Sequence, residues 1–267
     1  MVETFLQICG LRVHYLESGD EGASKLLLIH GLGGTSKSWE EVFDRLSESF
    51  HVIAIDLPGF GKSDKPLLPY TLDNLADLLC SFMKSTHFYP VIIVGHSMGG
   101  MISIKAYKKC REKFQGIILV NAAGMSDAPA KKIREYMEDR WSIERLRKYY
   151  QECLLGRLGR LDETRLREFM QMFEDPIFPQ LYTLLLDEIS RPLLPSDFAE
   201  IKVPTLIIWG SDDRLIPLID GVRISKAISG STLMIIEGAG HSPHREAPEQ
   251  FISAIRNFAS KIKNSRI

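Results

Sequence analysis

The stretch Val91-Ile92-Ile93-Val94-Gly95-His96-Ser97-Met98-Gly99-Gly100 decides the fold of this chain. It begins as an apolar, β-branched run of strand length, breaks at a Gly-x-Ser-x-Gly turn, and leads into helix-forming residues 101–107. Ser97 therefore sits at the apex of a sharp turn between a strand and a helix. The positions two before and two after it must be glycine, because a Cβ there would collide with the neighbouring strand or helix. The five-letter pattern alone also fits an ordinary turn, but the flanking strand and helix favour a nucleophilic serine.

The composition is that of an ordinary soluble globular protein. The 267 residues carry a net charge of −1, with 45% apolar and 25% charged residues. No basic run is interleaved with aromatics, so we expect no nucleic-acid partner. The N-terminus lacks a basic region followed by an apolar one, and no run approaches 18 apolar residues. These features predict a cytoplasmic monomer or homodimer with no stable membrane insertion.

The four cysteines are far apart in sequence and form no Cys-x-x-Cys pair. They are Cys9, Cys80, Cys110 and Cys153. This spacing predicts reduced thiols, and neither a zinc site nor a disulfide framework.

Strand-like and helix-like patterns alternate along most of the chain. An opening hairpin is predicted at residues 5–9 and 11–17. Short apolar runs, typical of strands buried on both faces, follow at 26–29, 52–55, 91–94, 117–120, 206–209 and 233–236. Helical patterns lie between most of them, at 39–47, 71–85 and 101–109. The alternation predicts an α/β fold with a mostly parallel, doubly wound sheet.

The pattern changes in the middle of the chain, where strand-like runs disappear. Charged amphipathic segments replace them at 131–140, 143–151, 163–173 and 178–189. Their aromatic and methionine stripes are most simply explained as core packing. An insertion between two strands of such a sheet lies at the carboxyl edge, where Ser97 also lies. We therefore expect a helical cap at 125–198, between core segments 1–124 and 199–267, with its ionised residues facing water.

A serine hydroxyl needs a base that is oriented by an acid. His241 is the preferred base, because it follows the apolar run 233–236 through a glycine-rich loop; His244 is the competitor. The acid should also follow a strand, and Asp212 and Asp213 both follow the run 206–209, after Gly210 and Ser211. Periodicity does not choose between the two aspartates.

The oxyanion of a tetrahedral intermediate needs backbone N–H donors. One donor is expected from Met98, the residue after the nucleophile. The second is expected from Leu32, in the loop His30-Gly31-Leu32-Gly33-Gly34-Thr35 that follows the run 26–29. No His, Cys or carboxylate cluster has metal-ligand spacing, and we expect no cofactor.

Five sequence blocks, taken together and in this order, resemble the α/β-hydrolase fold superfamily over almost the whole chain. They are residues 30–33, 56–64, 95–100, 210–217 and 240–248. The Gly-x-x-Asp-x-x-x-Pro pattern of that family falls on Gly210, Asp213 and Pro217, which implies Asp213 as the acid. The Gly-His pair, with Pro248 further on, implies His241 as the base.

Departures from related families narrow the resemblance. A serine at position 97 argues against epoxide hydrolases and haloalkane dehalogenases, whose nucleophile is an aspartate. The loop after His30 lacks the Gly-Pro step usual in carbon–carbon bond hydrolases. What remains is similar to the serine carboxylesterases and monoacylglycerol-lipase-like enzymes with a helical lid.

The resemblance implies hydrolysis of carboxylic esters of short to medium acyl chain, with no cofactor. Besides the triad and the two oxyanion donors, Gly31, His96 and Trp141 are expected to contact a small-molecule ester. Charged acyl groups should be poor substrates unless an arginine such as Arg140 or Arg191 lies in the site. A carbon–carbon bond hydrolase, a lactonase, an acyltransferase and a ligand receptor without turnover remain as alternatives.

Overall fold

One sheet organises the molecule. The computed structural model describes residues 1–66, 70–137 and 141–264. Within these residues the strands are β1 (Val2–Ile8), β2 (Leu11–Ser18), β3 (Lys25–Ile29), β4 (His51–Ile55), β5 (Val91–His96), β6 (Phe114–Val120), β7 (Thr205–Gly210) and β8 (Thr232–Ile236). They form an eight-stranded sheet in the order β1-β2-β4-β3-β5-β6-β7-β8. β2 pairs antiparallel with β1 and with β4, and the pairs from β4 to β8 are parallel. The predicted α/β fold class is confirmed.

Helices cover both faces of the sheet. In chain order they are α1 (Glu40–Ser47), α2 (Leu72–Ser85), α3 (Met98–Cys110), α4 (Ala128–Met137), α5 (Ile143–Tyr149), α6 (Glu163–Met172), α7 (Phe178–Ile189), α8 (Pro195–Ala199), α9 (Leu218–Ala227), α10 (Pro243–Glu246) and α11 (Pro248–Asn264). Apolar residues of α1 and α11 form one core with one face of the strands. Those of α2, α3 and α9 pack on the other face. The strands β4 to β7 are buried along their full length, which explains their continuous apolar sequence.

The predicted helical insertion corresponds to α4–α8, which lie between β6 and β7. A π-helical turn, Tyr150–Leu154, continues from α5. Buried side chains such as Leu146, Leu166 and Leu185 belong to the same apolar core as one face of the sheet. The end of the predicted segment 131–140 lies outside the described residues. We refer to α4–α8 as the cap; its domain boundaries at 125 and 198 stay a prediction.

The prediction of four reduced thiols is wrong for one pair. Cys80 in α2 and Cys110 at the end of α3 form a disulfide, with their Cα atoms 6.1 Å apart. The two helices are neighbours on the same face of the sheet, and this proximity is not visible from a sequence separation of 30. Cys9 and Cys153 are free thiols.

The structure also bears on membrane insertion. Among the described residues, no helix combines the length and the apolar character needed to cross a bilayer.

Candidate active site

Ser97 lies at a strained turn between β5 and α3. Its backbone has φ of 53° and ψ of −119°, in a region that side-chain-bearing residues rarely adopt. Hydrogen bonds hold it there: Ser97 N donates to the Val120 carbonyl at 3.0 Å, and Ala123 N donates to the Ser97 carbonyl at 3.1 Å. A Cβ on Gly95 would lie 2.5 Å from the Gly99 carbonyl oxygen. The collision expected from the sequence pattern is therefore present.

His241 and Asp213 form a buried pair. His241 Nδ1 donates to Asp213 Oδ2 at 2.8 Å. The other carboxylate oxygen, Oδ1, accepts hydrogen bonds from the backbone N–H groups of Leu215 and Ile216, each at 2.9 Å. In the neutral imidazole, a proton on Nδ1 leaves Nε2 as an acceptor. Because Ser97 and His241 line the same cavity, the structure brings together the three residues predicted as the triad.

Asn121 is a part of this site that the sequence did not reveal. Its Nδ2 donates to Asp213 Oδ2 at 2.6 Å and to the Gly240 carbonyl at 3.3 Å. Its Oδ1 accepts a hydrogen bond from Gly210 N at 3.2 Å. The residue directly follows β6 and has φ of 42°, a conformation that asparagine tolerates better than most residues. The sequence signal available for finding it was a polar residue directly after the apolar run 117–120, at the carboxyl end of a predicted strand.

Asp212, the alternative acid, points to a different partner. Its carboxylate accepts hydrogen bonds from Arg157 N at 3.2 Å and from Arg157 Nε at 2.9 Å. The hydrogen bond with the Arg157 guanidinium is the main reason why the pKa of Asp212 is lowered. Of the two adjacent aspartates, the structure places Asp213 beside His241 and leaves Asp212 in an ion pair with the cap.

His244, the alternative base, is buried and pairs with no carboxylate in the described residues. Its ring packs on Trp39, with centroids 4.5 Å apart. Burial, and secondarily the nearby His241, lower the pKa of His244 to about 3. A base with that pKa is too weak to take a proton from a serine near neutral pH.

His96 packs against His241 and donates a hydrogen bond to its backbone. His96 Nε2 donates to the backbone carbonyl of His241 at 2.9 Å, and the two rings lie 4.8 Å apart. The pKa of His96 lies well below its usual value, mainly because the ring is buried and secondarily because His241 and His244 repel its positive charge. His96 is therefore neutral and lies on the cavity wall, where it was predicted to contact substrate.

The loop predicted to supply the second oxyanion donor lies beside Ser97. A Cβ on Gly31 would lie 3.1 Å from Ser97 Cβ. The Gly31 carbonyl accepts hydrogen bonds from Gly34 N at 3.1 Å and from His30 Nδ1 at 2.8 Å, which tightens the turn. Within the described residues the Leu32 N–H has no acceptor, and Met98 is the first residue of α3. Both predicted donors are thus available to a ligand.

The cap closes over Ser97 and leaves a cavity of about 770 Å³. Most of its apolar lining comes from the cap: Pro129, Ile133, Tyr149, Tyr150, Leu154, Leu155, Leu158, Leu161, Phe169, Met172, Tyr182 and Ile189. Leu32 and Leu215 add to it from the core. Trp141, predicted to contact substrate, packs behind this wall, with ring centroids 5.2 Å from Tyr149 and 6.0 Å from Phe169.

The expectation that ionised cap residues face water is wrong for Arg165. Its side chain is only 17% exposed and contacts Glu40 and Glu41 at the start of α1. Among the described residues, six carboxylates and four cations line the cavity: Glu40, Glu41, Asp162, Glu163, Glu168, Glu246, Lys37, Arg160, Arg165 and Arg245. Arg191 is exposed and pairs with Glu188, and Arg140 lies outside the described residues.

Comparison with known proteins shows the family of this chain. The family model described as "Alpha/beta hydrolase family" matches residues 26–254. This chain belongs to the alpha/beta hydrolase family. It is therefore a member of a hydrolase family, and its α/β fold is the one that the sequence predicts.

The similar proteins carry different names. The chain is 27% identical over 259 residues to an uncharacterized hydrolase, YugF, of Bacillus subtilis, covering 93% of this chain and 94% of that protein. It is 28% identical to the 2-hydroxy-6-oxo-6-(2'-aminophenyl)hexa-2,4-dienoic acid hydrolase of Metapseudomonas resinovorans, covering 97% and 91%. An esterase from Exiguobacterium antarcticum shares the fold, with a TM-score of 0.83, 22% identity, and coverage of 98% and 100%.

Proposed function

We propose that this hydrolase is a serine carboxylesterase that acts on uncharged esters of short to medium acyl chain. Ser97 Oγ attacks the ester carbonyl while His241 Nε2 takes its proton. Asp213 holds the imidazole in the required tautomer and stabilises the imidazolium. The N–H groups of Leu32 and Met98 bind the oxyanion.

The alcohol then leaves with the proton carried by His241, and the acyl group stays on Ser97. Water attacks this acyl-enzyme by the same route, with His241 first as base and then as acid, and releases the carboxylic acid.

The charge of the cavity lining is the observation that carries the choice of substrate. Carboxylates outnumber cations there, and Arg165 is already paired with two glutamates. A negatively charged acyl group would meet a net negative lining and lose its hydration. An uncharged acyl chain would instead bury apolar surface against the aromatic and aliphatic side chains of the cap.

A panel of p-nitrophenyl esters tests the proposal. Each CH₂ that enters the apolar cavity contributes about 0.8 kcal/mol, or roughly fourfold in kcat/KM. We expect kcat/KM to rise from acetate to butyrate or hexanoate and to decline once the chain outgrows the cavity. A preference for acetate over hexanoate would contradict the apolar-cavity argument.

Two matched controls accompany the panel. Ser97→Ala should lower kcat by about 10³-fold or more without unfolding the protein, because the triad acts as a unit. Asp213→Asn should cost about 10⁴ in kcat through the wrong imidazole tautomer, whereas Asp212→Asn should be mild. An active Ser97→Ala protein would reject the mechanism.

Carbon–carbon bond hydrolysis is the second candidate, because the relative from Metapseudomonas resinovorans is named as the hydrolase of a 2-hydroxy-6-oxo dienoic acid, a compound whose name contains no ester. The substrate in that name is an acid, so the same panel should include a monoester of a dicarboxylic acid beside an uncharged ester of equal length. Efficient turnover of the charged member, or of a vinylogous diketone acid over all esters, would favour this second candidate.

A further inference from the structure

We propose that Glu246 is a positioning residue for His241. Its side chain joins the loop of His241 to residues 154–159 of the cap. This inference rests on the proposed role of His241 as the general base. We call residues 154–159 the brace.

The Glu246 carboxylate accepts hydrogen bonds from backbone N–H groups on both sides of His241. Oε2 accepts hydrogen bonds from Gly240 N and from Gly156 N, both at 2.9 Å. Oε1 faces Ser242 N at 3.3 Å. Gly240 and Ser242 are the neighbours of His241 in sequence, and Gly156 belongs to the brace. A single side chain therefore fixes the peptide units before and after the base and couples them to the cap.

The main chain of His241 also contacts the brace directly. His241 N donates to the Leu154 carbonyl at 2.7 Å, while the His241 carbonyl accepts the hydrogen bond from His96. The two backbones approach without a side chain between them: a Cβ on Gly240 would lie 2.2 Å from Leu154 O, and one on Gly156 would lie 2.4 Å from Gly240 N. Glycine at both positions is a requirement of this contact.

Further bonds hold the brace to the loops of the base and the acid. Leu158 N donates to the Gly238 carbonyl at 3.0 Å. Arg157 pairs with Asp212, and Arg214 Nη2 donates to the Leu155 carbonyl at 3.1 Å. A movement that lifted the brace would break these bonds and would release His241 N. The brace is therefore part of the catalytic frame, and any opening of the cap must leave it in place.

The chemistry of the three donors explains why an acidic residue stands at position 246. Three N–H groups need an acceptor with several lone pairs, and a carboxylate supplies them from two oxygens. Burial raises the pKa of Glu246, so the negative charge itself is unfavourable there and the hydrogen bonds are what it provides. A glutamine keeps one acceptor oxygen for Gly240 and Gly156 but turns its NH₂ group toward Ser242 N–H.

The experiment compares Glu246→Ala, Glu246→Gln and a control, Glu249→Ala. Glu249 is three residues further on and pairs with Arg45 at the surface. With p-nitrophenyl butyrate, we expect Glu246→Ala to lower kcat at least tenfold with KM nearly unchanged. The kcat of Glu246→Gln should stay within about threefold of that of the unmodified protein. The kcat of Glu249→Ala should equal that of the unmodified protein. Equal losses in the Ala and Gln variants, or full kcat in Glu246→Ala, would overturn the proposal.

A second readout separates this inference from the proposed ester substrate. The rate at which a fluorophosphonate labels Ser97 depends on activation by His241 and not on the natural substrate. Labelling should slow at least tenfold in Glu246→Ala even if no ester in the panel is turned over. If Glu246→Ala does not fold, Gly156→Ala disrupts the same contact from the brace and should slow labelling equally. Labelling at the unmodified rate in folded Gly156→Ala would refute the role of the brace.

Discussion

Asn121 offers a sharp test of how the site is held together, because its backbone and its side chain can be perturbed separately. The residue has φ of 42° and its side chain joins Asp213, Gly210 and Gly240. Glycine at position 121 keeps the backbone relaxed and removes only the side chain. Alanine removes the same hydrogen bonds and adds the cost of a left-handed backbone.

The magnitudes follow from the contacts. Loss of the bond to the ionised Asp213 costs about 1.5–3 kcal/mol, and the buried Gly210 N–H left without an acceptor adds about 1–3 kcal/mol. We therefore expect Asn121→Gly to lower the free energy of unfolding by about 3 kcal/mol. Asn121→Ala should lose about 1 kcal/mol more, because of its left-handed φ.

The effect on turnover should be smaller than that of losing the acid. Asp213 keeps its two backbone N–H donors, from Leu215 and Ile216, and still holds His241. We expect kcat to fall about tenfold in both variants, which corresponds to about 1.4 kcal/mol of transition-state stabilisation. Urea unfolding and p-nitrophenyl butyrate kinetics on the three proteins measure both quantities.

Two outcomes would refute this reasoning. If Asn121→Gly unfolded at the same urea concentration as the unmodified protein, the buried hydrogen bonds would not be contributing. If Asn121→Gly were the less stable of the two variants, the left-handed backbone would not be a source of strain.

Three other perturbations have expected outcomes. Replacing Cys80 and Cys110 by serine should lower the free energy of unfolding by about 3–4 kcal/mol, because the disulfide closes a loop of 30 residues. The same replacement should leave kcat unchanged. A large loss of kcat in the folded variant would contradict this expectation. His96 and His244 have lowered pKa values in the folded state, so below pH 6.5 the unfolded chain takes up protons that the folded protein does not. Their contribution is present above pH 6.5 and is lost as the pH falls below it. Stability measured by urea unfolding should fall between about pH 7.5 and 5.5, and His244→Phe should weaken this pH dependence. Ser97→Gly should be about 1 kcal/mol more stable than Ser97→Ala, since only glycine relieves the strained turn, and equal melting temperatures would argue against strain there.

Much of the fold could be predicted because it depends on local pattern. The apolar runs at 26–29, 52–55 and 117–120 lie inside β3, β4 and β6, and a strand buried on both faces requires such continuous apolar sequence. The amphipathic run of α11 and the shorter α9 were not identified, although both are helices that pack on the sheet. The disulfide was missed because it depends on which helices are neighbours.

The candidate site divides in the same way. Ser97, Asp213 and His241 each follow a strand and carry local motifs, so their approach at one edge of the sheet could be anticipated. Asn121 lies in none of the five blocks, and Glu246 lies in the block 240–248 without being predicted as a site residue. The roles of both depend on partners distant in sequence: Asn121 lies 92 residues from Asp213, and Glu246 lies 90 from Gly156. Trp141 is predicted to contact substrate, but its ring packs on Tyr149 and Phe169, behind the residues that line the cavity.

The brace has a consequence for the order in which the chain folds as it is synthesised. Residues 154–159 leave the ribosome well before Asp212, Gly238 and Glu246, so the backbone groups of the brace emerge without their partners. The cap can collapse on its own leucines, but the brace acquires its partners only when the last strand and α10 have formed. In refolding followed by pulsed hydrogen exchange, the amides of Gly156, Leu158 and His241 should therefore become protected in one late step, after those of β5. Early protection of the Leu158 amide would show that the brace folds before the last strand and α10 and would contradict this expectation. If these amides do become protected late, a chain that ends before residue 246 has a formed turn at Ser97 but no positioned His241. The protein then becomes active only at the end of its synthesis.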